Sequence, residues 1–185
     1  MSIYYPENQK IVLLGYMGSG KSAIGKSLAE LTSLPYIDLD DFIVESENSS
    51  IDQIFSLKGE IYFRRKEHHY LIELLNKPEQ RIISLGGGTP CYDNNISLLK
   101  TEGIVSFYLK TSIGTLVNRL KSEIEKRPIL KRFSTTEELA EFIAKHLFER
   151  QFYYNQANFT ILTDNKSVNR IVGEIAALLH LDKPV

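Results

Sequence analysis

A glycine-rich octapeptide near the amino terminus carries residue types that bind phosphate. It runs from Gly15 to Ser22, GYMGSGKS, and matches the pattern G-x-x-x-x-G-K-S. Glycines let backbone N–H groups turn inward toward phosphate oxygens, in conformations that a Cβ atom would obstruct. In such loops the lysine, here Lys21, reaches the β- and γ-phosphates of a nucleotide, and the serine hydroxyl coordinates Mg²⁺. We therefore predict a nucleotide site formed by Gly15, Met17, Gly18, Ser19, Gly20, Lys21, Ser22 and Ala23.

Two other segments place polar groups or bare backbone after apolar runs. Asp38 and Asp40 are two residues apart, so both carboxylates leave a strand end on one face. One could hold Mg²⁺ or its waters, and the other could accept a hydrogen bond from an attacking hydroxyl. The alternative is a solvated strand end in which Asp40 or Asp41 caps a helix. Three glycines at 86–88 follow another apolar run, and their backbone suits recognition of a carboxylate or hydroxyl.

Three arginines could supply positive charge to bound anions. Arg64 borders the buried face of a predicted helix, where it could pair with Glu67 or extend its stem over apolar surface. Arg127 lies in a charged, irregular stretch, and Arg150 ends the apolar stripe of another predicted helix. Arginine suits a bidentate grip on carboxylate or phosphate, and an ordinary salt bridge is the alternative for the last two.

The elements that must position these residues follow from the apolar pattern. Short apolar runs at residues 11–14, 36–39, 81–85, 104–109 and 159–162 alternate with stretches of helical period. Because the runs are continuously apolar, they predict strands of a parallel sheet that helices cover on both faces. Two stretches interrupt the alternation: residues 40–75, with a helix break at Lys58 and Gly59, and residues 121–134, which we interpret as a mobile loop. Thr135 and Glu138 form a capping-box pattern that restarts a helix.

The composition limits the classes of partner. The 185 residues, 43% hydrophobic and 24% charged, are typical of one soluble globular domain, here spanning residues 1–185. A net charge of −1 lacks the basic excess of a protein that binds nucleic acid through phosphates. No apolar run approaches the roughly 20 residues of a membrane-spanning helix. With a single cysteine, Cys91, and no secretory signal, we expect a cytoplasmic protein that binds neither nucleic acid nor membrane.

Together these motifs resemble those of the shikimate kinases. Five elements occur in the order of that family: the octapeptide, Asp38-x-Asp40, Gly59-Glu60-x-x-Phe63-Arg64, Leu85-Gly86-Gly87-Gly88 and Arg127-Pro128-Ile129-Leu130. The resemblance covers nearly the whole chain. It implies a three-layer α/β P-loop kinase fold, in which a five-stranded parallel sheet is flanked by helices. An acceptor-binding insert at about 40–75 and a lid at about 121–134 would complete the fold.

The resemblance also implies an activity and its residues. The family phosphorylates the 3-hydroxyl of shikimate with ATP and Mg²⁺, a step of aromatic amino acid biosynthesis, and we expect a monomer. The catalytic residues would be Lys21, Asp40 and Arg127. Arg119 and Arg127 would join the ATP site, and Asp38 would order water on the Mg²⁺ that Ser22 binds. The shikimate site would comprise Asp40, Arg64, Gly86, Gly87, Gly88 and Arg150.

The sequence departs from the family pattern at three points and leaves two other functions open. Residues 121–126 lack the glycines that are often found in the lid, and residues 163–165 match the adenine loop only loosely. Phe152 replaces a proline that is common two residues after the arginine matching Arg150, so the local backbone could differ. The first alternative is a P-loop kinase for gluconate or a nucleoside monophosphate, which the combined Asp-x-Asp, Phe-Arg and triple-glycine pattern argues against. The second is a nucleotide-binding module that has lost catalysis, which the full set of polar groups argues against.

Overall fold

The computed structural model describes residues 9–123, 130, 133 and 135–181, and a parallel sheet runs through them. The strands of this described part are β1 (Lys10–Leu14), β2 (Tyr36–Asp38), β3 (Arg81–Ser84), β4 (Ile104–Lys110) and β5 (Phe159–Leu162). Their order across the sheet is β2-β3-β1-β4-β5, and every neighbouring pair is parallel. In the register of the central strand, Ile11 lies opposite Ile82 on one side and Val105 on the other. The predicted five-stranded parallel sheet is confirmed.

Helices cover both faces of this sheet. They are α1 (Lys21–Thr32), α2 (Leu39–Glu47), α3 (Ile51–Asn76), α4 (Asn95–Leu98), α5 (Ile113–Lys121), α6 (Thr136–Tyr154) and α7 (Val168–Leu181), with a short 3-10 turn at Thr89–Cys91. Side chains alternate along a strand, so neighbouring residues of β1 enter different cores. Ile11 and Leu13 pack with α1 and α7, whereas Val12 and Leu14 pack with α2, α3, α5 and α6. This arrangement gives the predicted three layers.

The stretch between β2 and β3 consists of α2 and α3. The backbone of α3 leaves the helical conformation at Gly59, with φ 80° and ψ 169°, and the predicted helix break at this residue is confirmed. A carboxylate joins the two helices: Glu47 of α2 accepts hydrogen bonds from the hydroxyls of Tyr62 and Tyr70, at 2.6 and 2.8 Å. It also pairs with Lys66 at 2.8 Å, and hydrogen bonds from Lys66 and Tyr62 lower the pKa of Glu47 to about 2. These contacts join the end of α2 to the part of α3 that follows Gly59.

Several element boundaries differ from the predicted ones. β2 ends at Asp38 and not at residue 39, because the side chain of Asp38 accepts from the backbone N–H of Asp40 and starts α2. The helix cap is thus Asp38 and not Asp40 or Asp41. The capping box at Thr135 is confirmed, with both of its hydrogen bonds to Glu138 present. α6 continues as a helix through residue 152, the position that is commonly proline in the family.

Most of the segment at 121–134 is outside the described residues. This includes Arg127, so the structure does not place this predicted catalytic and ATP-binding residue. Leu130 is described and is fully buried, and the ring of Phe133 packs on Phe142 with the ring centroids 4.7 Å apart. Within the described ranges, no helix is both long enough and apolar enough to cross a membrane.

Candidate active site

The glycine-rich octapeptide connects β1 to α1 and lies at the carboxyl edge of the sheet. Gly15 follows the last residue of β1, and Gly20 precedes α1 with φ 97°, a conformation that favours glycine. At Gly15 a Cβ atom would lie 2.8 Å from the carbonyl oxygen of Leu109 in β4. The loop can therefore lie this close to the sheet only with glycine at residue 15. Its backbone N–H groups and the N-terminus of α1 form an anion-binding concavity.

Two cationic side chains contact this loop. Nζ of Lys21 donates to the carbonyl oxygens of Gly15 and Tyr16, at 2.9 and 3.1 Å. Nη1 of Arg119, near the end of α5, donates to the carbonyl oxygen of Gly18 at 3.0 Å. Two positive charges thus flank the place where phosphates would bind. Arg119 also supports the loop itself, which the sequence did not predict.

Ser22, Asp38 and Tyr36 form a cluster beside the loop. Oδ2 of Asp38 accepts from the hydroxyl of Ser22 at 3.3 Å and from that of Tyr36 at 3.2 Å. Burial raises the pKa of Tyr36 to about 12, so its hydroxyl stays a donor throughout the physiological range. A hydroxyl and one carboxylate are hard oxygen donors, and Mg²⁺ in nucleotide sites takes few protein ligands beside phosphate and water. The donor set therefore fits a nucleotide-bound Mg²⁺.

Asp40 lies in the first turn of α2, close to Lys21 and to Gly86. Its pKa is raised to about 6, chiefly because burial disfavours the charged carboxylate. The negative charges of Asp38 and Glu67 raise this pKa further, and Lys21 opposes them. Asp40 is consequently ionised at neutral pH, yet it accepts a proton more readily than an exposed carboxylate does.

Two arginines contact the glycine turn at 86–88. The guanidinium of Arg64 packs on Gly88, since a Cβ atom at that residue would lie 3.1 Å from Nη1 of Arg64. Nη1 of Arg150 donates to the carbonyl oxygen of Gly87 at 3.4 Å. Two guanidinium groups from different helices, α3 and α6, thus flank one turn, an arrangement that suits a small carboxylate ligand.

A buried network holds Arg64 and the turn in place. Nη1 of Arg64 donates to Oε2 of Glu67 at 2.9 Å, and Glu67 is 1% exposed. The hydroxyl of Thr89 donates to Oε1 of Glu67 at 2.6 Å. The side-chain amide of Asn95 donates to the carbonyl oxygen of Thr89 at 2.8 Å, and its oxygen contacts Nδ1 of His68 at 2.6 Å. We predicted the pairing of Arg64 with Glu67 from their spacing, but not the links to Thr89, Asn95 and His68.

These groups meet along one cleft of about 810 Å³ at the carboxyl ends of β1, β2 and β3. Most of the predicted nucleotide-site residues line it, together with Asp38, Asp40, Gly86, Gly87 and Arg119. Arg64 and Arg150 contact the glycine turn that forms one wall. The phosphate loop and the arginine-flanked glycine turn thus both border this cleft, and Asp40 lines it as well. A P-loop beside an acceptor pocket on a parallel sheet defines a P-loop kinase.

Comparisons with known proteins identify the family within this class. The family model described as Shikimate kinase matches residues 17–180. The curated shikimate kinase of Flavobacterium johnsoniae is 52% identical over 92% of this chain and 99% of its own length. The chain belongs to the shikimate kinase family and is an enzyme of that family.

Solved structures agree with this assignment. The shikimate kinase from Bacteroides thetaiotaomicron has a TM-score of 0.84 at 31% identity, covering 92% of this chain and 98% of that one. The shikimate kinase from Acinetobacter baumannii, solved in complex with shikimate, has a TM-score of 0.82 at 28% identity and covers 96% of both chains. A gluconokinase from Sinorhizobium meliloti, at 20% identity and a TM-score of 0.56, shares the fold alone.

Proposed function

We propose that this enzyme transfers the γ-phosphoryl group of ATP to the 3-hydroxyl of shikimate, giving shikimate 3-phosphate and ADP in aromatic amino acid biosynthesis. One observation carries the proposal: the carboxylate of Asp40 lies close to Lys21 of the phosphate loop and also to the glycine turn that two arginines contact. An acceptor with a carboxylate at one end and a hydroxyl at the other would fit between these groups.

Arg64 and Arg150 hold the carboxylate of shikimate at the glycine turn formed by Gly86, Gly87 and Gly88. Two donor nitrogens of Arg64 can exchange their present partner for the substrate carboxylate. Nη1 of this arginine is committed to the buried Glu67, whereas Nε and Nη2 share one oxygen of Glu60, both at 3.3 Å. The side chain of Glu60 is 53% exposed, and exposed ion pairs contribute little. A substrate carboxylate can replace Glu60 at these two donors while Glu67 keeps the guanidinium oriented.

The nucleotide phosphates bind over the octapeptide, with Arg119 beside it. On binding, Lys21 exchanges the carbonyl oxygens of Gly15 and Tyr16 for phosphate oxygens. Arg127 would add positive charge to the transferring group, and its assignment rests on the matched Arg127-Pro128-Ile129-Leu130 motif. We propose the insert at about 40–75 and the lid at about 121–134 as parts of one domain, residues 1–185. The monomeric state, the cytoplasmic location and the absence of nucleic-acid and membrane binding stay predictions.

Mg²⁺ would be held by Ser22 directly and by Asp38 through water. When bound, the ion neutralises charge on the β- and γ-phosphates. Asp40 accepts the hydrogen bond of the 3-hydroxyl and so aims its oxygen at the γ-phosphorus. Its raised pKa suits a group that takes up the proton as the new bond forms. The remaining rate acceleration comes from alignment of the reacting groups and neutralisation of charge, because a loose phosphoryl transition state needs little covalent catalysis.

A coupled assay of ADP release tests the proposed function. The enzyme receives ATP and Mg²⁺ with shikimate, gluconate or a nucleoside monophosphate in parallel reactions. We expect turnover with shikimate alone. Turnover with gluconate or a nucleoside monophosphate in place of shikimate would refute the proposal, and no turnover with any acceptor would favour a binding module.

A further inference from the structure

The carboxylate of Asp38 is fixed at both of its oxygens. Oδ1 accepts from the backbone N–H of Asp40 at the start of α2, at 3.1 Å. Oδ2 accepts from two hydroxyls, those of Ser22 in α1 and Tyr36 in β2. Three different elements therefore determine where this carboxylate points.

The two hydroxyl donors to Oδ2 differ in whether the proposed function also assigns them to the metal. Ser22 ends the GKS sequence, and its oxygen faces the metal in the proposed function, so its geometry changes when nucleotide and metal bind. Tyr36 lies outside the matched motifs, and the proposed function does not use it as a ligand of the metal. Its hydroxyl is the donor whose position does not depend on the ligand.

The ring of Tyr36 is held by close packing on α1. A Cβ atom on residue 25 would lie 2.3 Å from Cε2 and 2.8 Å from Cδ2 of this ring. The ring fits because residue 25, buried in α1, is glycine. α1 is also the helix whose first turn carries Lys21 and Ser22, so Tyr36 links the phosphate-binding helix to the end of β2.

We infer that Tyr36 is a positioning residue for the metal: its hydroxyl holds the carboxylate of Asp38 where that carboxylate orders the water on the nucleotide-bound ion. This inference rests on the proposed function and extends it to a residue to which that function assigns no contact with substrate or metal. Groups that orient the partners of a metal commonly change metal affinity by 10- to 100-fold when removed. The effect of Tyr36 therefore falls on metal affinity more than on nucleotide affinity.

The variant Tyr36→Phe tests the inference, because it keeps the ring against Gly25 and removes only the hydroxyl. Mn²⁺ binding to the ADP complex is measured by electron paramagnetic resonance, and ADP binding in EDTA by calorimetry. We expect the Kd for Mn²⁺ to rise about tenfold, with ADP affinity in EDTA within about twofold of wild type. Tyr70→Phe is the matched control. It removes a hydroxyl that donates to a different carboxylate, that of Glu47, at 2.8 Å, and we expect it to leave Mn²⁺ affinity unchanged.

The possible outcomes separate this inference from the function on which it rests. Wild-type Mn²⁺ affinity in Tyr36→Phe would overturn the inference. Equal loss of ADP affinity with and without metal would also overturn it, since general damage to the loop would then be the cause. The Mn²⁺ and ADP measurements need no shikimate. An enzyme that binds both normally but does not phosphorylate shikimate would refute the proposed function and leave the role of Tyr36 standing.

Discussion

Oδ1 of Asp40 lies 2.9 Å from the point that a Cβ atom on Gly86 would occupy. The hydroxyl of Thr89 and Oε1 of Glu67 surround the same point, at 3.0 and 3.3 Å. Gly86 therefore does more than turn the chain after β3. Its missing side chain makes room for the carboxylate that the proposed mechanism places next to the acceptor hydroxyl.

Gly86→Ala should displace this carboxylate and slow turnover. The atoms nearest to the added methyl group are ends of side chains, so Asp40 moves and the fold remains. Because a misplacement of about 1 Å can lower rates by about 100-fold, we expect kcat with shikimate to fall by roughly that factor, with ADP affinity unchanged. Gly114→Ala in α5 is the control, since no atom lies within 4 Å of its Cβ position. A kcat for Gly86→Ala within twofold of wild type would contradict the assigned position of Asp40.

Arg64→Ala should weaken shikimate binding and spare nucleotide binding. The change removes charged hydrogen bonds to the substrate carboxylate, and we expect KM for shikimate to rise roughly 10- to 100-fold. Calorimetry with ADP and Mg²⁺ should give a Kd within about twofold of wild type. Arg65→Ala alters the neighbouring exposed arginine and should leave both constants unchanged. Equal losses for both ligands would remove Arg64 from the acceptor site.

Asp40→Asn should abolish most activity and stabilise the fold at neutral pH. The pKa of Asp40 is about 6 in the folded chain and about 4 in an unfolded one, so the folded state binds more protons between these values. Stability from this group is thus full below about pH 4 and falls as pH rises through 6. A pKa shift of two units corresponds to about 3 kcal/mol of folding free energy that is lost at pH values above 6. An asparagine at residue 40 has no charge to bury, so Asp40→Asn should restore part of this stability.

Urea unfolding at pH 7.5 and at pH 4 measures this effect. We expect Asp40→Asn to be about 1–3 kcal/mol more stable than wild type at pH 7.5 and close to wild type at pH 4. Glu45→Gln is the control, because it removes a charge from an exposed position of the same helix, and we expect it to leave stability close to wild type at both pH values. If Asp40→Asn keeps the wild-type kcat, the charge of Asp40 is needed neither to take up the proton of the hydroxyl nor to orient that hydroxyl.

Arg119→Ala should loosen the phosphate loop. Loss of the hydrogen bond to the carbonyl oxygen of Gly18 removes one charged contact, and we expect the Kd for ADP to rise roughly tenfold. Fluorescence titration with a labelled ADP measures this, and shikimate affinity serves as an internal reference. Lys121→Ala removes an exposed charge from the same last turn of α5 and should have no effect. Unchanged ADP affinity in Arg119→Ala would show that the loop keeps its shape without this contact.

The strands and the main helices could be predicted from the sequence, because the patterns that indicate them lie within short segments of the chain. Continuously apolar runs predicted the strands, and a glycine at residue 59 within a helical pattern predicted the break in α3. The boundary after Asp38 was missed because Leu39 continues the apolar run of β2. The strand ends where the side chain of Asp38 accepts from the backbone N–H of Asp40, and the pattern of apolar residues carries no information about this hydrogen bond.

Much of the site could be placed by motif, but its supporting contacts could not. A tyrosine in a strand usually signals packing, and only the fold brings Tyr36 against Gly25 and its hydroxyl to Asp38. His68 and Asn95 are 27 residues apart, and neither belongs to a motif. Such contacts form between distant segments, so residue type and spacing along the chain give no signal for them.

The two oxygens of Asp38 connect parts of the enzyme that are usually considered separately. One oxygen starts α2, the helix that carries Asp40 and begins the stretch between β2 and β3, and the other accepts from Ser22 and Tyr36. We therefore expect a change in this stretch that shifts the first turn of α2 to move the carboxylate that the proposed function places beside the metal. Under the proposed function, redesign of the acceptor pocket for a different alcohol should consequently change metal affinity, even if no residue near the phosphates were changed.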